Sequence, residues 1–427
     1  MISIPQTDTL VPQEHTLANG RKLYYFPSDT ELMKIDLLNE AGSAYQTQPL
    51  VAAATNKLYA GASKKMTAEQ VSEFLDFRGI IVENNNTVLQ STTTFYTLSR
   101  HMDDLLPLID DLVRMPAFPE REFDVYRRER RQKIMASQQK SSDMARRLFY
   151  EVLFGFDHPL GRYATPEDAD GLSLQAVKQH YSDFYHPGDM TIVLAGHVDE
   201  HLLNAIEKFF GYDISVETQR AASHHARIDS LAVETQYAAP LQTVRRDFLI
   251  SGAVQTTLRI GRIIPLSWDD PDYARLMLLV TVLGGYFGSR LMSNLREDKG
   301  YTYGIYARTQ IYRGVIIFYI TADVAGRAAD DAEKEIMHEL QRLVDEPVPD
   351  EELDLVRTVL AGDFLRSVDG IFERSARFCD MLGTDITEQL TDNLRMAINE
   401  TTAVQLQELA QRLMKPSDMI VCRAGAI

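Results

Sequence analysis

The sequence predicts an α+β protein of two similar halves, each an antiparallel-rich β-sheet with helices packed on one face. Three observations carry this. Two blocks recur at nearly one offset. Pro119-Glu120-Arg121-Glu122-Phe123 and Pro349-Asp350-Glu351-Glu352-Leu353, 230 residues apart (349 − 119), each precede a long helical pattern. HPGDMTIVLAG (186–196) returns as KPSDMIVCRAG (415–425), with Pro416 229 residues after Pro187 (416 − 187). Hairpin strands and helices also come in runs rather than in strict alternation. Finally, residues 216–239 are polar with few large apolar side chains, as interdomain linkers are. The halves are therefore 1–215 and 240–427, joined by the linker 216–239.

Taken in order, Asn19-Gly20 centres a hairpin over 16–27, and a strand follows at 32–40. Helices at 50–60 and 67–78 lead to strands Gly79–Glu83 and Val88–Leu98, the second alternating polar and apolar residues. A helix from Asp103 to Arg114 stops before MPAFPE, and a long charged helix spans 120–139. Helices at 141–153 and 173–184, the strand Met190–Ala195 and a helix at 199–210 complete the half. In the second half, GGYFGSRLMSNLREDKGYTYGIYA (284–307) reads as turn, helix and strand. Leu291, Met292 and Leu295 fall at helical spacing, Gly300 suits the position after the helix, and Tyr301, Tyr303, Ile305 and Ala307 alternate. Arg296 and Tyr303 then point into one space, a guanidinium and a phenol suited to a peptide carbonyl or a carboxylate. The same two residues also suit an ion pair and a core tyrosine, and the local sequence leaves both readings open.

The 427 residues are 45% hydrophobic and 25% charged, ordinary for a globular protein. Lys+Arg 44 against Asp+Glu 61 leaves a net charge of −17, which argues against general nucleic-acid binding and against attraction to anionic membranes. No run approaches the roughly 20 apolar residues of a membrane span. The start carries no basic segment followed by an apolar one, so the expected compartment is the cytoplasm. Cys379 and Cys422 make no disulfide framework and are expected as buried free thiols. Phosphate-loop, dinucleotide and nucleophile-elbow patterns are lacking. His224-His225 sits on the linker, where solvation is expected. His197-Val198-Asp199-Glu200-His201 matches the H-x-x-E-H zinc pattern, yet His197 follows the strand TIVLAG and Asp199 is placed to cap the next helix. Only His201 would then be helical, so the two imidazoles would not share a helix face.

FGFDHPLGRYATPEDADGLSLQAVKQHYSDFYHPGDMTIVLAGHVD (154–199) and LGGYFGSRLMSNLREDKGYTYGIYA (283–307), with the two-fold repeat, resemble the pitrilysin/insulinase family of zinc peptidases. The resemblance extends over essentially the whole chain and is closest to the short bacterial, mitochondrial-processing-peptidase-like group. It implies two domains facing each other as a clamshell. It also implies H-x-x-E-H on the first domain's first long helix and a third, glutamate ligand on a later one. Here the histidine positions fall on Ala52 and Asn56, the glutamate on Thr55 and the third ligand on Lys133. The implied role is a non-catalytic subunit of a heterodimeric zinc metallopeptidase, with zinc in a homologous partner that carries the intact motif. Arg296 and Tyr303 would hold peptide substrate for that partner. Gly284, Gly285 and Gly288 would let a substrate strand approach or act as turn glycines, and Ile80–Asn86 matches the strand to which active members add substrate. The rivals are an active zinc metalloendopeptidase with an unusual ligand set and a purely structural, core-type subunit. Self-association of the isolated chain fits any of these.

Overall fold

The computed structural model describes residues 11–185, 189–212 and 244–427. The predicted linker with His224 and His225, and Pro187 with its immediate neighbours, lie outside the described residues. The first half contains β1 (Gln13–Thr16), β2 (Lys22–Pro27), β3 (Leu32–Asn39), α1 (Val51–Tyr59), α2 (Ala68–Arg78), β4 (Ile81–Asn86) and β5 (Ser91–Leu98). It continues with α3 (Met102–Arg114), α4 (Glu120–Gln138), α5 (Ser141–Phe154), α6 (Pro166–Asp170), α7 (Leu174–Phe184), β6 (Thr191–Gly196) and α8 (Glu200–Phe210). The second half has β7 (Arg245–Leu249), β8 (Gln255–Ile264), α9 (Pro271–Gly284), β9 (Thr302–Tyr312), β10 (Val315–Ala325) and α10 (Ala329–Asp345). It ends with α11 (Asp350–Ser367), α12 (Ile371–Thr384), α13 (Gln389–Glu400), α14 (Ala403–Leu413) and β11 (Ile420–Gly425).

The mixed α+β class is as expected, and every predicted element of the first half is present within a few residues. The short α6 was not anticipated, although its signals are local. Pro166 opens it, and Thr165 and Asp168 cap each other's backbone N–H reciprocally. No described helix is long and apolar enough to cross a membrane.

The sheets run β1-β2-β6-β3-β5-β4 and β7-β11-β8-β10-β9. In each, the last strand of the half enters between two earlier ones, parallel to one (β6 to β2, β11 to β7) and antiparallel to the other (β3, β8). One face of each sheet carries the helices of its own half. Met33, Ile35 and Leu37 of β3 join α1, α3 and α8 in one core, and Leu258 and Ile260 of β8 join α9, α10 and α14 in the other. In addition, each half sends one helix to the second face of the opposite sheet. Phe372, Phe378 and Cys379 of α12 pack on Phe26, Val193 and Ala195 of the first sheet. Phe149, Leu153 and Phe154 of α5 pack on Ile317, Ile420 and Cys422 of the second. That exchange accounts for β3 being buried from Met33 to Asn39 without alternation, since both its faces are covered. Both cysteines are buried and free, as expected.

His180 of α7 is buried under this packing. Its Nε2–H donates to the Ala41 carbonyl at 3.1 Å, with the Phe184 ring beside it. Burial lowers its pKa from 6.5 to about 4. The unfolded chain therefore takes up a proton at a pH where the folded chain does not. The associated stability is full above pH 6.5 and is lost as the pH falls toward 4, by about 3 kcal/mol in all. Urea unfolding of the His180→Gln variant is expected to lose the His180 share of the pH dependence in this window, so that stability falls less steeply than in the parent as the pH drops from 6.5 toward 4.

Candidate functional site

The zinc cradle implied by the family resemblance fails a test of its donor set. Ala52 and Asn56 sit on α1 and are buried. The Asn56 amide donates to the carbonyls of Asn85 (2.7 Å) and Thr92 (3.1 Å), and its oxygen accepts from Thr93 Oγ1 (3.0 Å). Asn56 thus fastens α1 to β4 and β5, and its hydrogen-bonding capacity is used. Thr55 Oγ1 donates to the Val51 carbonyl at 2.8 Å, which leaves no carboxylate there to act as a base. Lys133 is an exposed cation on α4. An alkyl group, an amide, a hydroxyl and an ammonium are not a zinc ligand set. His197 and His201 do not converge either. His197 Nε2 lies 3.8 Å from Asp199 and His201 Nε2 3.8 Å from Asp103, while Asp199 caps α8 through the Leu202 N–H at 2.8 Å. Among the described residues, no three of His, Cys, Asp or Glu form a group able to hold a metal ion.

The segment 284–307 is built differently. Asp270 and Pro271 start α9, whose length is almost wholly buried. At its end a Cβ on Gly284 would lie 2.6 Å from the Ala307 backbone nitrogen, so this glycine lets α9 and β9 meet backbone to backbone. The next helix is not the expected α-helix: Met292–Asp298 is a π-helix, with the Lys299 N–H reaching the Asn294 carbonyl at 3.1 Å. Such i→i+5 turns are uncommon and concentrate at functional sites. Gly300 reverses the chain at φ +62°, as its position predicted.

Most polar side chains here are anchored. Arg290 grips Glu352 with two nitrogens, the shortest contact 2.7 Å, and Asn294 donates to Glu335 (3.1 Å) and Glu339 (2.7 Å). Lys299 pairs with Glu335. Arg296 has no carboxylate among the described residues. Its guanidinium lies over the ring of Phe287, 4.5 Å from the centroid, and that ring is itself exposed.

Tyr303 is 91% exposed, although Ile305 and Ala307, with which a regular strand would place it on one face, are buried. The cause is a β-bulge. Thr302 pairs with Val324 and Ile305 with Ala322, so Tyr303 and Gly304 together face only Asp323. Thr302 Oγ1 holds the bulge by donating to the Asp323 carbonyl at 2.7 Å and accepting from the Gly304 N–H at 3.1 Å. The ion pair and the core tyrosine that the local sequence allowed are therefore both absent among the described residues. Arg296 and Tyr303 are not hydrogen-bonded to each other. They stand as two uncommitted side chains on one π-helix–bulge unit. The β-pairing edges of β4 and β9 are unpaired among the described residues.

A cavity of about 520 Å³ lies between the halves, walled by α4, α5 and the 159–164 loop on one side and by Gln310 and Tyr312 of β9 on the other. From the sequence, the run YRRERRQK (126–133) in α4 is a charged helix that carries the lost third-ligand position at Lys133, with no sign of a cavity. Lys133 and Arg130 from that run line this cavity.

The family described as peptidase M16 inactive domain matches residues 171–360, a span that contains the whole π-helix–bulge unit. Among curated relatives, the uncharacterized zinc protease YmxG of Bacillus subtilis is 23% identical, over 82% of this chain and 81% of its own. The non-peptidase homolog YmxG of Helicobacter pylori is also 23% identical, over 58% of this chain and 54% of its own. Among solved structures, a peptidase M16 inactive domain from Pseudomonas fluorescens superposes with a TM-score of 0.80 at 20% identity, covering 97% of this chain and 98% of that one. A chain of complex III2 from Candida albicans gives a TM-score of 0.73 at 13% identity, with 97% and 96% covered.

Proposed function

We propose that this chain, a member of the pitrilysin/insulinase (M16) peptidase family, serves as a non-catalytic subunit that holds peptide substrate for a homologous partner carrying zinc. The observation that carries this reading is the contrast between two places on the chain. Where the family keeps its metal, Ala52, Thr55 and Asn56 are spent on packing and on hydrogen bonds within the fold. On the π-helix–bulge unit, Arg296 and Tyr303 are left with no polar partner among the described residues. A guanidinium offers a forked donor for a backbone carbonyl or terminal carboxylate, and the phenol adds a second donor. The partner's zinc would supply the activated water, and this chain would supply orientation. An arginine without a carboxylate partner among the described residues and an exposed tyrosine on one π-helix–bulge unit suit a holding surface better than a purely structural core-type subunit.

The isolated chain is expected to retain far less than one equivalent of zinc after dialysis and to leave unfolded peptide intact. Mixed with a homologous subunit bearing an intact H-x-x-E-H, it is expected to restore cleavage that the other subunit alone performs poorly. Stoichiometric zinc together with peptidase activity in the lone chain would overturn the reading.

A further inference from the structure

The cavity between the halves is cationic in a chain whose net charge is −17. Arg130, Lys133, Arg146, Arg147 and Arg162 line it, against one carboxylate, Asp143, which is 3.3 Å from Arg146. Arg130, Lys133 and Arg162 have no carboxylate partner among the described residues. Arg147 is partly buried and donates to Ser137 Oγ at 2.6 Å, with its guanidinium 5.3 Å from the Tyr163 ring. Burial lowers its pKa, so the desolvation of this cation is not offset by the groups around it. Elsewhere several buried or partly buried arginines are paired, Arg290 with Glu352, Arg423 with Asp247 and Arg377 with Glu388, while Arg21 and Arg259 are buried singly without a carboxylate partner among the described residues. The unpaired set gathers around a hollow, where like charges focus their field on whatever enters.

The shape favours an extended chain over a compact ion. A second hollow of about 290 Å³ adjoins the first, shares Ser43, Leu50, Arg130 and Arg162 with it, and reaches Asn86 at the end of β4. Leu50, Ile134 and Leu160 supply aliphatic surface between the charges. Gln310 in the far wall is on the same strand as Tyr303, seven residues on, or up to about 23 Å at strand rise. One extended peptide can span both places.

We propose that this cavity binds the carboxylate side chains of acidic peptide segments, so that the subunit selects substrates bearing Asp or Glu some residues away from the end held by Arg296 and Tyr303. The proposal rests on the peptide-holding reading. Arginine forks match carboxylates in pairs, and charge-assisted hydrogen bonds are the strong ones.

The test is fluorescence anisotropy of the full chain with labelled decapeptides carrying either two glutamates or two glutamines at the same positions. The glutamate peptide is expected to bind at least about tenfold more tightly, with the margin shrinking as salt is raised. The combined variant Arg130→Gln, Lys133→Gln, Arg162→Gln is expected to erase the margin while leaving the glutamine peptide unaffected. Circular dichroism would show that it remains folded. Arg296→Ala is expected to weaken both peptides alike. Equal binding of the two peptides by the parent would overturn the acidic preference and leave the holding role standing, whereas binding of neither would overturn both. Displacement of the glutamate peptide by inorganic phosphate at comparable concentration would make the cavity a small-anion site and overturn the peptide assignment.

Discussion

In a reconstituted pair with a zinc-bearing subunit, Arg296→Ala is expected to lower kcat/KM for peptide cleavage by about 10- to 100-fold, the cost of one charge-assisted hydrogen bond. Most of the change should fall on KM, because a group that holds substrate backbone away from the reacting bond contributes alike to the ground and transition states. Arg296→Lys keeps the charge but not the fork and should recover only part of the loss. Tyr303→Phe is expected to cost about tenfold or less, as a neutral donor does. Neither change should move the folding stability by more than about 0.5 kcal/mol, because Tyr303 is exposed and the Arg296 guanidinium, with no carboxylate partner among the described residues, lies over the exposed ring of Phe287. Unchanged cleavage in both variants would remove the pair from any substrate contact. Equal losses of activity and stability would instead make Arg296 a packing residue.

Why these two side chains are free was only partly legible in the sequence. The turn–helix–strand order, the glycine at 300 and the burial of Leu291, Met292 and Leu295 all follow from local spacing. The π-helical hydrogen bonding does not, because π and α turns place apolar residues on nearly the same face and differ by one residue in their bonding. The bulge at Tyr303 is set by register against β10, more than ten residues downstream, and no local pattern encodes that register. The basic cavity was hidden for a similar reason. Its cations come from α4, α5 and a loop, and its far wall comes from the other half, so each contributor reads in isolation as a solvated charge. The exchange of α5 and α12 between sheets is likewise tertiary: Lys34 and Asp36 interrupt the apolar residues of β3, so its sequence reads as a strand with one polar face although both faces are buried. By contrast, the loss of donors at Ala52, Thr55, Asn56 and Lys133 could be read from residue identity alone, since it concerns what those side chains lack.

The largest expected effect on the fold comes from the contact that α12 makes with the first sheet. Lys34 and Asp36 on β3 point to the face that α12 covers, both almost wholly buried, with Lys34 Nζ 2.8 Å from the Asp36 carboxylate. Thr94 Oγ1 donates to the same carboxylate at 2.6 Å, and Ser375 Oγ and Cys379 Sγ of α12 donate to it at 3.3 and 3.5 Å. Burial works against the Lys34 ammonium, but the Asp36 carboxylate outweighs it and holds the lysine pKa above its ordinary 10.5. Burial also pushes the Cys379 thiol well above its usual range, so it is protonated and unreactive while α12 is docked. Asp36→Asn keeps the volume and strands a buried ammonium. The expected loss is about 3–5 kcal/mol in urea unfolding, the usual result of removing one partner of a buried pair. Replacing both residues, Lys34→Met with Asp36→Leu, should recover most of that loss, because an apolar pair needs no compensating charge. The same variants should differ in how readily Cys379 is alkylated. Labelling is expected to be slow in the parent and in the double variant and fast in Asp36→Asn, where α12 lifts from the sheet. Fast labelling in the double variant would show that the ion pair itself, rather than charge compensation, clamps the two halves together.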